Sequence, residues 1–183
     1  MNEIIIKKKY LRQTLTDKRK LIKKNSTKEF NDTVFNQLIE IIKFDEIKHI
    51  GSFISIRSEI STNKLNKKIL QMNKSLSLPV IEKNSQELIF KKFDSSKNFK
   101  LGKFNIPEPT QDCKEVVPQL FFVPCLGFDL SGYRIGYGGG FYDKTFAKLN
   151  RLNFKFYTVG FAFDKQKQNE IPREKYDYKL DFV

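Results

Sequence analysis

The stretch Gly132-Tyr-Arg-Ile-Gly-Tyr-Gly-Gly-Gly-Phe-Tyr-Asp143 is where residue types and spacing combine most clearly into possible chemistry. Five glycines fall within the nine positions from Gly132 to Gly140. Each glycine loses more backbone entropy on ordering than any other residue, so the run opposes a regular element. A folded chain keeps such a run where the backbone turns sharply or where a ligand must come close; on glycine content alone it could equally be a surface turn. A helical pattern begins as the run ends, at about Phe141. Free amides and the positive end of that helix would then face whatever the loop surrounds. Arg134 adds a permanently charged, bidentate donor. The arrangement suits a polyphosphate, although it is neither the Gly-x-x-x-x-Gly-Lys-Ser/Thr loop nor the dinucleotide fingerprint.

Other candidates are fewer. Glu59 follows the β-rich run Ile50–Ile56, and a carboxylate at the carboxyl end of a strand lies where α/β sheets bind ligands. Lys8 and Arg12 sit one helical turn apart. Asp143 falls in the first turn of its helix, where a carboxylate could cap the helix or meet a cation. Cys113 and Cys125 lack metal-ligand spacing and read as reduced structural residues. His49, the only histidine, has no nucleophile motif beside it.

The net charge of +13 raises the question of nucleic acid, but only six of the 34 basic residues are arginine. Phosphate and base recognition favour the arginine fork, whereas lysine here is spread along the chain with Asn and Ile. The expectation is a solvated lysine-rich surface with no nucleic-acid partner. No apolar run approaches the roughly 18 residues of a membrane helix, and Ile4–Ile6 precede the lysines, the wrong order for a signal peptide. A cytoplasmic protein without membrane attachment is expected.

The elements that must position these residues follow from periodicity. Leu11, Leu15 and Leu21/Ile22 among charges predict a helix over 7–24. Ser26 with Glu29 forms a capping-box pattern ahead of Phe30, Val34, Leu38, Ile41 and Ile42 at helical spacing. Strands are expected at 50–56, 76–81, 88–93, 120–123 and 157–163, with helices carrying Leu65, Ile69 and Met72 and spanning 141–149. The prolines of Asn105-Ile-Pro-Glu-Pro109 exclude a helix there. Strands alternating with helices indicate an α/β fold over 1–183: a single layered domain with a mostly parallel central sheet flanked by helices.

Pro124-Cys-Leu-Gly-Phe-Asp129 followed by Gly132-x-Arg134-x-Gly136-x-Gly138-Gly139-Gly140-Phe-Tyr142-Asp143 closely resembles the signature of the 5-formyltetrahydrofolate cyclo-ligases, or 5,10-methenyltetrahydrofolate synthetases. Three further segments look like parts of that family: Lys8-Lys9-Tyr-Leu11-Arg12, Ser55-Ile-Arg-Ser-Glu59-Ile60 and the Pro-containing turn 105–109. Cys125, Phe141 and Tyr176 depart from its usual residues. The resemblance implies ATP-dependent closure of 5-formyltetrahydrofolate to 5,10-methenyltetrahydrofolate, with ATP phosphorylating the formyl oxygen. It implies nucleotide contacts from Lys8, Lys9, Arg12, Arg134, Ile135, Gly136, Tyr137, Gly138, Gly139, Gly140, Phe141 and Tyr142, with Arg134 and Tyr142 at the chemistry. It implies folate contacts from Ile54, Glu59, Tyr137, Gly138, Gly139, Gly140 and Phe141, and magnesium (Mg2+) at Asp143 and Asp177. A monomer or weak homo-oligomer is expected. The competing readings are a basic RNA-associated protein without catalysis and an ATP-dependent ligase or kinase for another small acid.

Overall fold

The computed structural model describes residues 3–26, 30–93 and 99–183. The opening helix α1 (Glu3–Asn25) buries Lys8, Leu15, Arg19 and Ile22, which share one stripe because their spacings of seven, four and three are whole helical turns. α2 (Asp32–Ile41) is capped by the Asn31 side chain, which accepts from the amides of Thr33 and Val34 at 3.0 and 3.5 Å. The expected partner of Ser26 in a capping box, Glu29, lies outside the described residues.

β1 (His49–Gly51), α3 (Asn63–Gln71), β2 (Ser75–Val80) and β3 (Ile89–Lys92) follow, then the short pair β4 (Phe99–Leu101) and β5 (Pro107–Pro109). β6 (Leu120–Pro124) leads to a second short pair, β7 (Gly127–Phe128) and β8 (Arg134–Ile135). α4 (Phe141–Arg151) and β9 (Tyr157–Phe161) complete the frame. The central sheet has the order β3-β2-β1-β6-β9, with β2, β1, β6 and β9 parallel and β3 antiparallel at one edge. The α/β expectation with a mostly parallel sheet therefore holds.

Differences from the expected elements have local causes. β1 ends at Gly51 rather than continuing to Ile56. Beyond it, side chains take over backbone partners that a ladder would use: the Thr62 hydroxyl donates to Phe53 O at 2.7 Å and the Ser55 hydroxyl to Ile60 O at 2.7 Å. The chain thus leaves the sheet as a loop. The two antiparallel ribbons went unforeseen because strands of two or three residues, rich in Pro or flanked by Gly, carry no alternation to detect.

β6 shows why the sheet is the centre of the molecule. Leu120 and Phe122 pack on one face with Phe35, Leu65 and Ile69, while Phe121 and Val123 pack on the other with Phe146 and Leu149 of α4. A strand covered on both faces needs apolar residues at successive positions. α3 carries the chain outward from β1 to β2, and α4 carries it the other way from β6 to β9. The carboxyl ends of β1 and β6 therefore diverge at a topological switch point, where open α/β sheets leave a crevice.

Candidate active site

A cleft of about 480 Å³ occupies that crevice. Its walls come from the residues after β1, the end of β2, the segment 104–108, Pro124, the glycine-rich loop with the start of α4, and two tail carboxylates. His49 stands at the amino end of β1, away from this edge, and does not line the cleft. Cys113 and Cys125 are both free thiols and buried; burial pushes the Cys125 thiol up to about 12, which leaves it inert at neutral pH.

The glycines divide into two kinds. Gly132 (φ +89°) answers to chain packing: a Cβ there would lie 2.5 Å from Leu180 O, and its carbonyl accepts from Leu180 N at 2.9 Å. Gly136 to Gly140 line the cleft. A Cβ at Gly136 would meet nothing within 4 Å, so the loop leaves open space beside this residue. Gly138 (φ +97°) and Gly140 (φ +67°) adopt backbone conformations that side chains oppose, and Gly140 is the N-cap of α4 with no side-chain cap bond.

Arg134 on β8 is held rather than free. Its Nη2 lies 3.1 Å from Asp143 Oδ1 and its Nη1 donates to Tyr178 O at 3.4 Å. Asp143 Oδ1 also accepts from Tyr178 N at 3.1 Å, which ties the C-terminal tail to the start of α4. The Arg134 guanidinium stands 5.9 Å from the centre of the Tyr142 ring. The Tyr142 hydroxyl is buried at the cleft with no hydrogen-bond partner among the described residues, and burial raises its pKa.

Lys8 reaches the same region from α1. It is only 3% exposed, and its ammonium pairs with Glu174 Oε2 at 2.8 Å and with Asp177 Oδ2. Asp177 Oδ2 also accepts from Glu174 N at 2.7 Å. One turn along, Arg12 Nε donates to Gly136 O at 3.0 Å, linking α1 to the loop. Lys9 faces solvent and lies outside the cleft, since one residue rotates the helix by about 100°.

The opposite end of the cleft is apolar, formed by Phe53, Ile54, Ile56, Leu78, Pro79 and Phe104. Two buried carboxylates line the cleft here: Glu108, 3% exposed, whose Oε1 accepts from Ile81 N at 3.4 Å, and Glu59, 4% exposed. Glu59 Oε2 accepts from Ile56 N at 2.8 Å, and its Oε1 lies 3.9 Å from Arg19 Nη1. Burial raises the Glu59 pKa, opposed by the Ile56 amide, by Arg19, by the Tyr137 hydroxyl and by Lys23.

Apart from Lys9, every expected site residue lines this one cleft: Lys8, Arg12, Ile54, Glu59, Arg134 to Asp143 and Asp177. Sequence reasoning missed Arg19, Arg57, Phe104 and Glu174. Arg19 lay within reach, because it shares the helical stripe of Leu15 and Ile22. Arg57 (φ +53°) and Phe104 (φ +64°) gave no periodic signal, since both occupy left-handed loop positions. Among the described residues no three His, Cys, Asp or Glu side chains gather into a metal cage. Magnesium needs only one or two carboxylates and keeps several waters; Asp143 and Asp177 both line the cleft, each paired with a cation, Arg134 and Lys8 respectively.

The family model of the 5-formyltetrahydrofolate cyclo-ligase family matches residues 4–183. The chain belongs to that family. It is 32% identical over 153 residues to the 5-formyltetrahydrofolate cyclo-ligase of Haemophilus influenzae, covering 81% of each chain. It is 30% identical over 151 residues to the Mus musculus enzyme of the same name, covering 77% of this chain and 74% of that one. Among solved structures, the 5,10-methenyltetrahydrofolate synthetase of Aquifex aeolicus superposes with a TM-score of 0.74 at 26% identity, over 96% of this chain and 88% of the other. Members of the family are ligases, and the fold is common to both.

Proposed function

We propose that this chain closes 5-formyltetrahydrofolate to 5,10-methenyltetrahydrofolate with ATP and magnesium, and that it works in the cytoplasm as a single unit, alone or in a weak homo-oligomer. The observation that carries the proposal is the polarity of the one continuous cleft. One end collects Lys8, Arg12, Arg134 and the glycine-rich loop, with Glu174 and Asp177 paired to Lys8 and Asp143 to Arg134; the other is apolar around the buried carboxylates Glu59 and Glu108. A triphosphate fits the first end and a flat ring edged with N–H donors fits the second.

The first end also leaves groups that a ligand could satisfy. The Tyr142 hydroxyl is unsatisfied among the described residues, and the loop at Gly136 has room for a phosphate oxygen. Lys8 and Arg12 would hold the nucleotide from α1, and Arg134 with the amides of 135–141 would offset charge on the transferred phosphoryl group. Asp143 and Asp177 would hold magnesium, which when bound neutralises phosphate charge and fixes its orientation. The formyl oxygen receives the terminal phosphoryl group as ADP leaves, the second folate nitrogen then attacks the formyl carbon and gives up its proton, and phosphate departs with the oxygen. Ile54, Tyr137 and Phe141 would flank the folate, and Glu59 would accept from its ring. The test is near-ultraviolet absorbance of the product. A rise is expected only when 5-formyltetrahydrofolate, ATP and a divalent cation are all present; a rise without nucleotide, or none with folded protein, refutes the proposal.

A further inference from the structure

Arg19 has no part in the reaction as drawn, yet it is among the most deeply buried side chains of the protein, at 1% exposure. Its donors reach three separate segments. Nε donates to Ser58 Oγ at 3.1 Å in the turn after β1, Nη1 to Cys125 O at 3.1 Å just past β6, and Nη2 to the Tyr137 hydroxyl in the glycine-rich loop. Nη1 also lies 3.9 Å from Glu59 Oε1, the one carboxylate paired with it among the described residues. Arginine does not deprotonate in proteins, so a guanidinium this buried demands a fixed negative partner.

We infer that Arg19 is a positioning residue of this reaction, whose guanidinium ties the folate-side carboxylate Glu59 to the nucleotide-side loop through Tyr137. The inference rests on the function proposed above and deepens it. The reduced pyrimidinone ring of the folate presents a ring N–H and an amino group, both donors, so an ionised carboxylate receives it and a protonated one does not. Burial works against that ionised form. The groups that face Glu59 are Arg19 and Lys23 on α1, Tyr137 in the loop, Tyr142 on α4 and Cys125. Of these, Lys23 donates to the backbone carbonyl of Glu59 rather than its carboxylate, and the other three carry no positive charge. Arg19 is therefore the cation set against the Glu59 carboxylate, and with the Ile56 amide it opposes the effect of burial.

The second link concerns the loop. Tyr137 follows Gly136 and precedes three glycines, so its neighbours give it little conformational guidance. The residue is 43% exposed, and its ring stands 5.4 Å from the Arg19 guanidinium and 5.5 Å from that of Arg57. The hydrogen bond to Arg19 fixes where this ring, and with it the loop, stands in the cleft.

The experiment measures 5-formyltetrahydrofolate binding without nucleotide across a pH series, and the apparent KM for ATP in turnover. Wild type loses folate affinity only as pH falls toward the Glu59 midpoint, which burial raises above that of an exposed glutamate. In Arg19→Gln the carboxyl of Glu59 protonates at higher pH, so folate binding weakens roughly tenfold for each pH unit below that new midpoint and recovers as pH rises. The ATP KM rises at every pH. Arg19→Lys keeps the charge, so the folate profile stays like wild type, while the ATP KM still rises because one ammonium cannot reach Ser58, Cys125 and Tyr137 together. In a Glu59→Gln background, adding Arg19→Gln brings no new pH dependence. A loss of folate affinity in Arg19→Gln that is the same at all pH values overturns the inference, as does an Arg19→Lys protein indistinguishable from wild type or from Arg19→Gln. Should Arg19→Gln fail to fold, the Arg19→Lys profile decides by the same criteria. Wild type that turns over folate while these profiles fail to split leaves the function standing and removes Arg19 from it; wild type without turnover removes the function itself.

Discussion

Gly138→Ala separates the demands of backbone and ligand within the loop. Gly138 sits at φ +97°, and an added Cβ would stand 3.3 Å from both Cζ and Nε of Arg12, the side chain that donates to Gly136 O at 3.0 Å. Holding an L-residue at such a φ costs about 1–3 kcal/mol, of which about 0.4–1 kcal/mol is offset because alanine restricts the unfolded chain. The net loss of about 1–2 kcal/mol lowers Tm by roughly 2–8 °C at this chain length. The new methyl also presses on Arg12, so that the Arg12–Gly136 bond and the loop cannot both keep their places. The apparent KM for ATP should then rise roughly tenfold or more, about 1.4 kcal/mol or above. Gly136→Ala is the comparison: its φ is not in the left-handed region and its Cβ meets nothing, so its melting temperature should stay near wild type. Any loss of ATP affinity there reports a ligand that comes within reach of the backbone. Thermal melting and steady-state ATP titration at saturating folate are the assays. Gly138→Ala with unchanged Tm and unchanged ATP KM would refute the reasoning.

Asp143→Asn can still accept from Tyr178 N but leaves the buried Arg134 guanidinium without its carboxylate, so unfolding should cost about 1–3 kcal/mol less. Turnover should fall further than this and the magnesium requirement should move to higher concentration; an unchanged magnesium titration would leave Asp143 only an anchor for Arg134 and the tail. Glu59→Gln removes a charged acceptor worth about 1.5–3 kcal/mol, and folate should bind roughly ten- to a hundredfold more weakly while ATP binding stays within a few fold. Because burial raises the Glu59 carboxyl, wild-type folate affinity should begin to fall, as pH drops, nearer neutrality than for an exposed glutamate, and that decline should vanish in Glu59→Gln. A decline that persists in the variant assigns the titration to another group.

What could be read along the chain was whatever the local pattern of residues dictates. Glycine conformational freedom marked the loop, apolar residues at helical spacing marked α1, α3 and α4, and β-rich runs marked β2, β3, β6 and β9. The run Ile50–Ile56 promised a longer strand than β1, because hydroxyls of Ser55 and Thr62 that capture backbone carbonyls are invisible to a periodicity argument. Helical spacing paired Lys8 with Arg12, but only the packing of α1 decided that Lys8 turns inward to Glu174 and Asp177 while Lys9 faces water. Gly132 resembled its neighbours until the tail was laid across it.

The sequence by itself determined which groups are available: a flexible amide-rich loop opening a helix, a bidentate cation at Arg134, and isolated carboxylates at Glu59 and Asp143. Tertiary structure alone decided that they meet. The bonds that assemble the cleft join Lys8 to Asp177, Arg12 to Gly136 and Arg19 to Tyr137, across separations of 169, 124 and 118 residues. Side-chain periodicity reports only neighbours within a turn or two, whereas these contacts arise because the parallel sheet brings the carboxyl ends of β1 and β6 side by side and α1 and the tail close over them.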